Sequence, residues 1–308
     1  MLDIYARWGY LAKETLTIDV ANVRDLKKYK DILLVGMGGS GIIGDYIQSI
    51  AFKKSMRKIY VIKDWELPSW TSSETLVIAI SYSGNTTETL IALENALNKG
   101  CEVCVIASGG KLLERAKEIG LMHIELIKGL VPRAAFPTLL YGTFKLLWSG
   151  GIDDIVSTEE AIKAIDMFDL NKFITTAEEI ANFIDRNIPV IVSDTRFQPL
   201  AIRAKNEFNE NSKLPAKVEV LPEWAHNDIV GWERIRDYDF KFKILVIDPS
   251  YDSHYQELVE FAIEYFKSLG LNTYRLVLQG TNILEKFIYG TLVLGASSVL
   301  LASKLGID

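Results

Sequence analysis

The chain has 308 residues, of which 49% are hydrophobic and 24% are charged, with a formal net charge of −6. This length predicts two domains of roughly 100–200 residues each, and the acidic balance excludes a general binder of nucleic acid or acidic membranes, which would carry a concentrated basic face. An uncharged apolar run of about 18 residues is missing, so we expect no membrane span. The first residues lack the basic start and apolar core of a signal peptide, and a soluble, cytoplasmic protein is expected.

In the first half of the chain, apolar runs alternate with helical patterns, which is typical of parallel α/β layers. Strands are predicted at residues 31–36, 58–63, 75–80, 102–107 and 122–126. Helices are predicted at residues 41–52, 86–98, 111–119 and 135–149. The stretch "WSGGIDD" at 148–154 then breaks the pattern with a glycine pair and acids. We therefore place a domain boundary there, between residues 1–150 and 151–308.

The second half opens with two predicted helices and then resumes the alternation. Its helices are predicted at residues 157–168, 172–186, 198–211, 253–269 and 283–305, and its strands at 189–193, 217–221, 243–248 and 273–278. The segment "TLVIAISYSGNTTETL" from Thr75 matches "KILVIDPSYDSHYQEL" from Lys243 in pattern, which indicates an ancient duplication. Only the first copy has a hydroxyl-rich loop, which favours one ligand site. The predicted fold class is α/β, with two doubly wound parallel-sheet domains in three αβα layers.

The only cysteines, Cys101 and Cys104, lie in "KGCEVCVIAS". The C-x-x-C spacing suits a redox pair or half of a zinc site. However, these positions belong to a predicted strand, where residues three apart point to opposite faces. A second pair is missing, and the histidines (His123, His226 and His254) are scattered. We therefore interpret both cysteines as structural thiols and expect no metal site.

The first loop that could bind a phosphate lies in "LLVGMGGSGIIGDY", residues 33–46. Gly36, Gly38 and Gly41 satisfy the G-x-G-x-x-G fingerprint between a strand and a helix, which is typical of dinucleotide binding. Asp64, at the end of the next predicted strand, takes the place of a ribose-binding acid. A nicotinamide-dependent dehydrogenase is therefore one interpretation, although a lone fingerprint is a weak signal.

The second loop, "AISYSGNTTETL" at 79–90, places Ser81, Ser83 and Thr86 around Gly84. In open parallel sheets, loops at the carboxyl ends of strands bind ligands, and helix N-termini favour anions. Neither loop contains lysine or arginine, so we expect backbone amides and hydroxyls to bind a phosphate monoester. The alternative is that the hydroxyls only cap the next helix, but one capping residue accounts for only one of them.

The motifs "S-x-S-G-N-T-x-E-T" and "GMGGSGI" together resemble the sugar isomerase (SIS) domain family, and in particular its archaeal-type bifunctional phosphoglucose/phosphomannose isomerases. Three further segments match in order: "GLVPRAAFPTLLYG", "AIRAKNEFNENSKLPA" and "LPEWAHNDIVGW". The resemblance implies two SIS domains, a homodimer, and isomerisation of glucose 6-phosphate, and also of mannose 6-phosphate, to fructose 6-phosphate. It implies a reaction without a metal ion, and we expect no cofactor and, from the charge, no nucleic-acid or membrane partner.

The resemblance also implies roles for individual residues. It implies that Glu210 moves a proton between C1 and C2, that Arg133 steadies the enediolate, and that His226, contributed by the partner subunit, takes part in ring opening. A carboxylate suits such a proton transfer, and a permanently charged guanidinium suits a developing oxyanion. The phosphate-binding residues that the resemblance implies are Gly39, Ser40, Ser81, Ser83 and Thr86.

Each of the three catalytic assignments has a simpler alternative. Glu210 lies at a polar helix end, and Glu207, one turn earlier, is well explained as part of a solvated helix face. Arg133 would pair with a surface carboxylate, the usual situation of a charged residue. His226 would cap a short helix that begins near Pro222.

The sequence departs from the family at its end, where members usually continue past "GID" with a tail that supplies a threonine and a lysine to the active site. Lys304, just before this end, is not the counterpart of that lysine. Ala225 stands where a polar residue is expected before the histidine. The second interpretation of the function is therefore a non-catalytic SIS protein that binds sugar phosphates.

Overall fold

The computed structural model describes residues 1–251 and 253–307, so Asp252, in the second copy of the duplicated pattern, and Asp308 lie outside the described residues. The α-helices, in chain order, are α1 (Leu2–Ala6), α2 (Trp8–Leu16), α3 (Gly38–Ala51), α4 (Thr87–Asn98), α5 (Gly110–Glu118), α6 (Phe136–Ser149), α7 (Thr158–Ala164), α8 (Leu170–Ile184), α9 (Gln198–Asn211), α10 (Ser253–Ser268) and α11 (Ile283–Leu305). The strands are β1 (Val20–Ala21), β2 (Asp31–Val35), β3 (Lys58–Ile62), β4 (Thr75–Ile80), β5 (Glu102–Ala107), β6 (Met122–Glu125), β7 (Ile188–Asp194), β8 (Lys217–Leu221), β9 (Phe242–Asp248) and β10 (Thr273–Val277). The 3-10 helices are Pro132–Ala135, Ile165–Phe168, Glu223–Ala225, Asp228–Trp232 and Ile235–Asp237.

The predicted helices and strands all overlap observed ones, and the α/β class with parallel sheets is confirmed. Helices α1 and α2 and strand β1 were not predicted. The sequence nevertheless carries a signal for α2, because Trp8, Leu11, Ala12 and Thr15 are buried along it at the spacing of one helix face. The Trp8 indole N–H donates to the Ala134 carbonyl at 3.0 Å, which ties α2 to a segment far along the chain.

The chain divides into two compact units. We call Arg7–Asp166 the N-terminal unit, and Met167–Asp308 together with Met1–Ala6 the C-terminal unit. The N-terminal unit extends past the predicted boundary at residue 150 because the segment that follows is bonded to it. Arg57 pairs with Asp154 at 3.0 Å, and the Tyr141 hydroxyl donates to the Ala161 carbonyl at 2.8 Å. The domain limits 1–150 and 151–308 stay a prediction.

The sheet of the N-terminal unit has the strand order β1-β6-β5-β4-β2-β3. Strand β1 pairs with β6 antiparallel, whereas the other neighbours are parallel. Every residue of β4 is buried, as expected for a central strand covered on both faces, where sequences read as continuous apolar runs. In the register of this sheet, Val35 of β2 lies opposite both Ala79 of β4 and Ile62 of β3. The carboxyl ends of these three strands therefore lie at one edge.

The sheet of the C-terminal unit has the order β10-β9-β7-β8, and all its neighbours are parallel. In the N-terminal sheet, β2 lies between β3 and β4, and β5 lies beyond β4. In the C-terminal sheet, β7 lies between β8 and β9, and β10 lies beyond β9. The first four parallel strands of each unit therefore have the same order. The matching sequence segments correspond to β4–α4 and β9–α10, which contain the third parallel strand of each sheet. This correspondence supports the interpretation of a duplication.

Helix α11 is the longest apolar helix among the described residues, and by length and composition it could cross a membrane. It is 23 residues long, and 72% of its most apolar window is buried inside the protein. Gly295 allows close packing within the C-terminal unit, because a Cβ at this position would lie 2.4 Å from the Tyr5 ring. We interpret α11 as a core helix.

Candidate active site

The first and third parallel strands of the N-terminal unit, β2 and β4, are neighbours in its sheet, and each leads into a helix. This is the point where the strand order reverses, and open α/β sheets bind ligands in the crevice outside the strand ends at such a point. When the parallel strands β2 to β6 are numbered 1 to 5 along the chain, their order in the sheet is 2-1-3-4-5. The usual dinucleotide-binding order is 3-2-1-4-5-6. Asp64 is exposed, and its carboxylate accepts the backbone N–H of Trp65 at 2.6 Å. These observations argue against the dehydrogenase interpretation.

We call residues 36–41 and 81–86 the paired loops. The first of them lies so close to the end of β4 that glycine is required there. A Cβ on Gly36 would lie 2.8 Å from the Ile80 carbonyl oxygen, and a Cβ on Gly41 would lie 2.4 Å from the Gly36 carbonyl oxygen. Gly36 therefore allows the loop to lie against the end of the neighbouring strand, and Gly41 allows the loop to fold back on itself.

Ser40 connects the paired loops directly. It is buried in the first turn of α3, and its Oγ accepts the backbone N–H of Tyr82 at 3.1 Å. A serine hydroxyl also has one proton to donate, and this contact does not use it. Gly39, beside Ser40, is half-buried and belongs to the first helical turn, whose backbone N–H groups have no partner within the helix. The two residues thus offer donors to an anion.

The second of the paired loops does not use its hydroxyls to cap the helix. Thr86 is the N-cap residue of α4, but no side-chain hydrogen bond caps this helix in the described structure. The Thr86 hydroxyl instead lies 2.9 Å from the buried Ser81 hydroxyl, which also accepts the Gly84 N–H at 3.1 Å. Ser83 is exposed. The interpretation that these hydroxyls are only helix caps is therefore wrong.

A cation that the sequence analysis missed lies beside the first of the paired loops. Lys63 follows β3, and its Nζ pairs with the Asp45 carboxylate on α3. A Cβ on Gly41 would lie 3.3 Å from the Lys63 Cε. Burial raises the pKa of Asp45, and the hydrogen bond from Lys63 opposes that rise. The signal in the sequence is the position of Lys63 directly after β3, the strand next to β2.

The N-terminal unit also contains Arg133, in the 3-10 helix Pro132–Ala135 that precedes α6. Its side chain is half-buried, unlike that of a freely solvated surface arginine. All five predicted phosphate-binding residues and Arg133 therefore belong to the same compact unit. The structure brings Ser40, Ser81 and Thr86 together through the paired loops.

Glu210 and His226 belong to the C-terminal unit. Glu210 is exposed in the last turn of α9, and its carbonyl accepts the Lys213 ammonium at 2.6 Å. His226 is exposed at the end of the 3-10 helix Glu223–Ala225, where its backbone N–H donates to the Glu223 carbonyl. The Glu223 carboxylate accepts the side-chain amide of Asn227 at 3.0 Å. His226 thus follows a short helix that begins after Pro222, and its ring is accessible.

The interpretation of Glu207 as part of a solvated helix face is wrong. Glu207 is 2% exposed, and its carboxylate pairs with Arg203, one turn earlier on α9. It also accepts the Tyr5 hydroxyl and the Asn211 amide, each at 2.8 Å. Tyr5 lies 202 residues before Glu207 in the chain, so local sequence could not reveal this contact. A buried charge needs partners of this kind.

The equivalent loops of the C-terminal unit offer a different environment. Asp194 and Asp248, at the ends of β7 and β9, are almost fully buried. The Asp194 carboxylate accepts the Phe197 N–H at 2.7 Å and the Tyr251 hydroxyl at 2.9 Å, and burial raises its pKa. The Asp248 carboxylate pairs with Arg275 at 2.7 Å, so both carboxylates have partners within the protein, and one anion site in the chain stays a prediction.

The structure also shows the surroundings of the two cysteines, which lie in the N-terminal unit. Cys101 and Cys104 are buried and form no disulfide, and burial raises the pKa of both thiols, as expected of structural cysteines. In residues 1–251 and 253–307, His, Cys, Asp and Glu side chains form no group of three or more that could hold a metal ion. Metal independence of the reaction stays a prediction.

Comparisons with known proteins agree with this architecture. A family model described as "SIS domain" matches residues 25–126. A second, described as "Bacterial phospho-glucose isomerase C-terminal SIS domain", matches residues 173–308.

Several curated relatives match most of the chain. A bifunctional phosphoglucose/phosphomannose isomerase of Aquifex aeolicus is 36% identical over 92% of this chain and 88% of the relative. A D-glucosamine-6-phosphate 4-epimerase of Sulfolobus acidocaldarius is 30% identical over 100% of this chain and 93% of the relative. Among solved structures, the C-terminal domain of glucosamine-fructose-6-phosphate aminotransferase from Francisella tularensis has a TM-score of 0.75 at 16% identity, covering 100% of this chain and 96% of that one. That likeness concerns the fold alone.

Proposed function

Because this chain is an isomerase that belongs to the SIS-domain family of bifunctional phosphoglucose/phosphomannose isomerases, we propose that it interconverts glucose 6-phosphate, and also mannose 6-phosphate, with fructose 6-phosphate. The observation that carries this proposal is the pair of loops at the reversal point of the sheet, in which Ser81 and Thr86 bond to each other instead of capping α4. The proposed enzyme is cytoplasmic, and its partners are a soluble hexose 6-phosphate and a second copy of the chain.

In this proposal the paired loops hold the 6-phosphate. The residues assigned to it are Gly39, Ser40, Ser81, Ser83 and Thr86. Support comes from the backbone N–H groups at the start of α3 and α4, which favour an anion, and from hydroxyls that can turn their protons toward it. Hydrogen bonds to a charged group are worth about 1.5–3 kcal/mol each, so a few suffice for specific binding.

The proton transfer is assigned to Glu210. As a carboxylate it removes the proton from C2 of the open-chain aldose, and the electron pair forms the enediolate. The resulting carboxylic acid returns the proton to C1, and the proton of the C2 hydroxyl moves to the oxygen on C1, which completes the ketose without net change in protons. A positioned base of this kind contributes roughly 10²–10⁴-fold to the rate.

Arg133 is assigned to stabilising the negative charge of the enediolate, and His226 is assigned to opening the sugar ring. The Arg133 guanidinium supplies a positive charge that stabilises the enediolate oxygen. The His226 imidazole can accept a proton on one ring nitrogen and donate one from the other, and in this proposal it opens the sugar ring. We propose that no metal ion takes part.

The test is an assay with fructose 6-phosphate that follows glucose 6-phosphate and mannose 6-phosphate separately, with a chelator present. We expect turnover by the wild type and a loss of at least about 100-fold in Glu210→Gln. The matched control is Glu264→Gln, since Glu264 is an exposed helical glutamate of the same unit. Near-normal turnover by a folded Glu210→Gln variant would falsify the assignment of the base, and loss of activity with chelator would overturn metal independence.

One observation favours a second candidate. The relative from Sulfolobus acidocaldarius matches the whole chain and is named as a 4-epimerase of glucosamine 6-phosphate. Incubation of the wild type with glucosamine 6-phosphate, followed by detection of its 4-epimer, tests this activity.

Thermal stabilisation by hexose phosphates without turnover of any of them would instead favour the non-catalytic sugar-phosphate-binding interpretation.

A further inference from the structure

Tyr82, between the two serines of the second paired loop, contacts three separate segments of the N-terminal unit. Its backbone N–H donates to Ser40 Oγ at 3.1 Å, and its carbonyl accepts the N–H and the hydroxyl of Ser108 at 2.9 and 2.6 Å. Its side-chain hydroxyl donates to the Ile127 carbonyl at 2.8 Å and accepts the Leu130 N–H at 2.9 Å. Backbone and side chain thus bond to different parts of the unit.

The segment bonded to the Tyr82 hydroxyl leads directly to Arg133. Leu130, three residues before Arg133, donates its N–H to that hydroxyl. Ala134, immediately after Arg133, gives its carbonyl to the Trp8 indole N–H at 3.0 Å. Between these two contacts the Ala134 N–H donates to the Val131 carbonyl at 2.9 Å. Arg133 is therefore held between one attachment to the paired loops and one to α2.

We propose that Tyr82 is a positioning residue that couples the occupancy of the paired loops to the placement of Arg133. This inference rests on the proposed function, in which the loops hold the phosphate and Arg133 acts at the sugar carbons. The Tyr82 amide and the Ser40 hydroxyl move together with the loops. Because a tyrosine side chain is rigid beyond two torsions, its hydroxyl transmits that movement to residues 127–130 and hence to Arg133.

The coupling depends on the Tyr82 hydroxyl and not on the ring. Burial raises the pKa of Tyr82, so the hydroxyl keeps its proton and can donate at any ordinary assay pH. Tyr82→Phe preserves the packed ring but leaves the Leu130 N–H and the Ile127 carbonyl without this partner. Residues 127–130 then lose these two hydrogen bonds to the second loop, while Ser81, Ser83 and Thr86 keep their own contacts.

The kinetic test compares Tyr82→Phe with the wild type. A misplacement of about 1 Å in a reacting group can cost on the order of 100-fold in rate, so we expect kcat to fall roughly 10–100-fold with KM changed less than about twofold. The matched control is Tyr141→Phe, because Tyr141 is a buried tyrosine of the same unit whose hydroxyl donates to the Ala161 carbonyl at 2.8 Å. This control should lose stability but keep its kcat.

A double-mutant cycle tests whether Tyr82 acts through Arg133. In an Arg133→Lys background, Tyr82→Phe should reduce kcat much less than it does in the wild type, since interacting residues are not additive. Full additivity of the two losses would overturn the proposal. So would an unchanged kcat in Tyr82→Phe, or a rise in KM as large as the fall in kcat.

A second measurement separates this inference from the proposed function, because it requires no turnover. Amide hydrogen exchange is followed with and without fructose 6-phosphate, with inorganic phosphate as a further probe. In the wild type, the ligand should slow exchange in residues 81–86 and also in 127–135. In Tyr82→Phe, only 81–86 should be protected. Equal protection of residues 127–135 in both proteins would overturn the coupling, and so would a lack of protection of residues 81–86 in the wild type. A lack of turnover alone would overturn only the isomerase proposal.

Discussion

At the scale of single residues, the hydroxyls of the paired loops have unequal environments although they are alike in sequence. Ser81 is 1% exposed, whereas Ser83 is exposed at the surface of the loop. The Ser83 hydroxyl accepts the Asn85 N–H at 3.3 Å, a long contact, while Ser81 accepts the Gly84 N–H and contacts Thr86. We infer that Ser81 organises the loop and contacts the phosphate, and that Ser83 contacts the phosphate from the solvent side.

This difference leads to a prediction for Ser81→Ala. The substitution removes one hydrogen bond to a charged group, worth about 1.5–3 kcal/mol, so KM for fructose 6-phosphate should rise roughly 10–100-fold while kcat falls less. The exposed Ser72, whose hydroxyl accepts the Glu74 N–H, provides a control in Ser72→Ala. Steady-state kinetics check both variants. An unchanged KM in folded Ser81→Ala would contradict phosphate binding at this hydroxyl.

At the scale of the elements, helix α9 carries both the buried Glu207 and the exposed Glu210, one turn apart. The buried turn is fixed from outside the helix. Asn211 donates to Glu207 at 2.8 Å and to the Ser298 hydroxyl of α11 at 2.9 Å, and Tyr5 of α1 donates to Glu207. The end of α9, where Glu210 lies, is therefore tied to α1 and α11 within the C-terminal unit.

This arrangement makes the stability of the C-terminal unit sensitive to the first residues of the chain. Tyr5→Phe keeps the ring packed against Gly295 but removes a hydrogen bond to a buried carboxylate, which should cost about 1–3 kcal/mol in the free energy of unfolding. Tyr10→Phe, at a tyrosine that is 59% exposed, should cost almost nothing. Urea unfolding monitored by circular dichroism measures both. Equal midpoints for the two variants would show that the Tyr5 hydroxyl contributes no stability.

At the scale of the whole molecule, the proposed homodimer can be tested together with the proposed contribution of His226 across the interface. Glu210→Gln and His226→Ala variants should each be inactive alone. If His226 acts on the partner's site, a mixed dimer has one site with both groups intact. Random exchange of subunits in a symmetric dimer should then restore about a quarter of the wild-type specific activity.

The complementation experiment has a clear control. Each variant is mixed with itself under the same exchange conditions, and light scattering records the mass throughout. Dimers that exchange subunits but regain no activity would contradict the contribution of His226 across the interface. An active species with the mass of one chain would contradict the dimer itself.

Much of the fold could be predicted from the chain alone, because its determinants are local. Continuous apolar runs such as 75–80 produce strands covered on both faces, and amphipathic stretches between them produce the helices. The paired loops could be identified for the same reason. Their signals are the glycines at 36 and 84 and the nearby hydroxyl side chains, and turns and helix starts depend on residues that are close in sequence. The motifs also indicated the family, which the relatives confirm.

Only the tertiary structure decided which side chains are buried and what they contact. Glu207 has the sequence environment of a solvated residue, but its partner Tyr5 is 202 positions away. The Tyr82 hydroxyl bonds to Ile127, 45 positions further on, and Lys63 lies beside Gly41 through the packing of β3 against α3. Periodicity and turn chemistry describe neighbours in sequence, whereas these contacts exist because folding brings distant segments together, and a buried polar group must then find a partner among them.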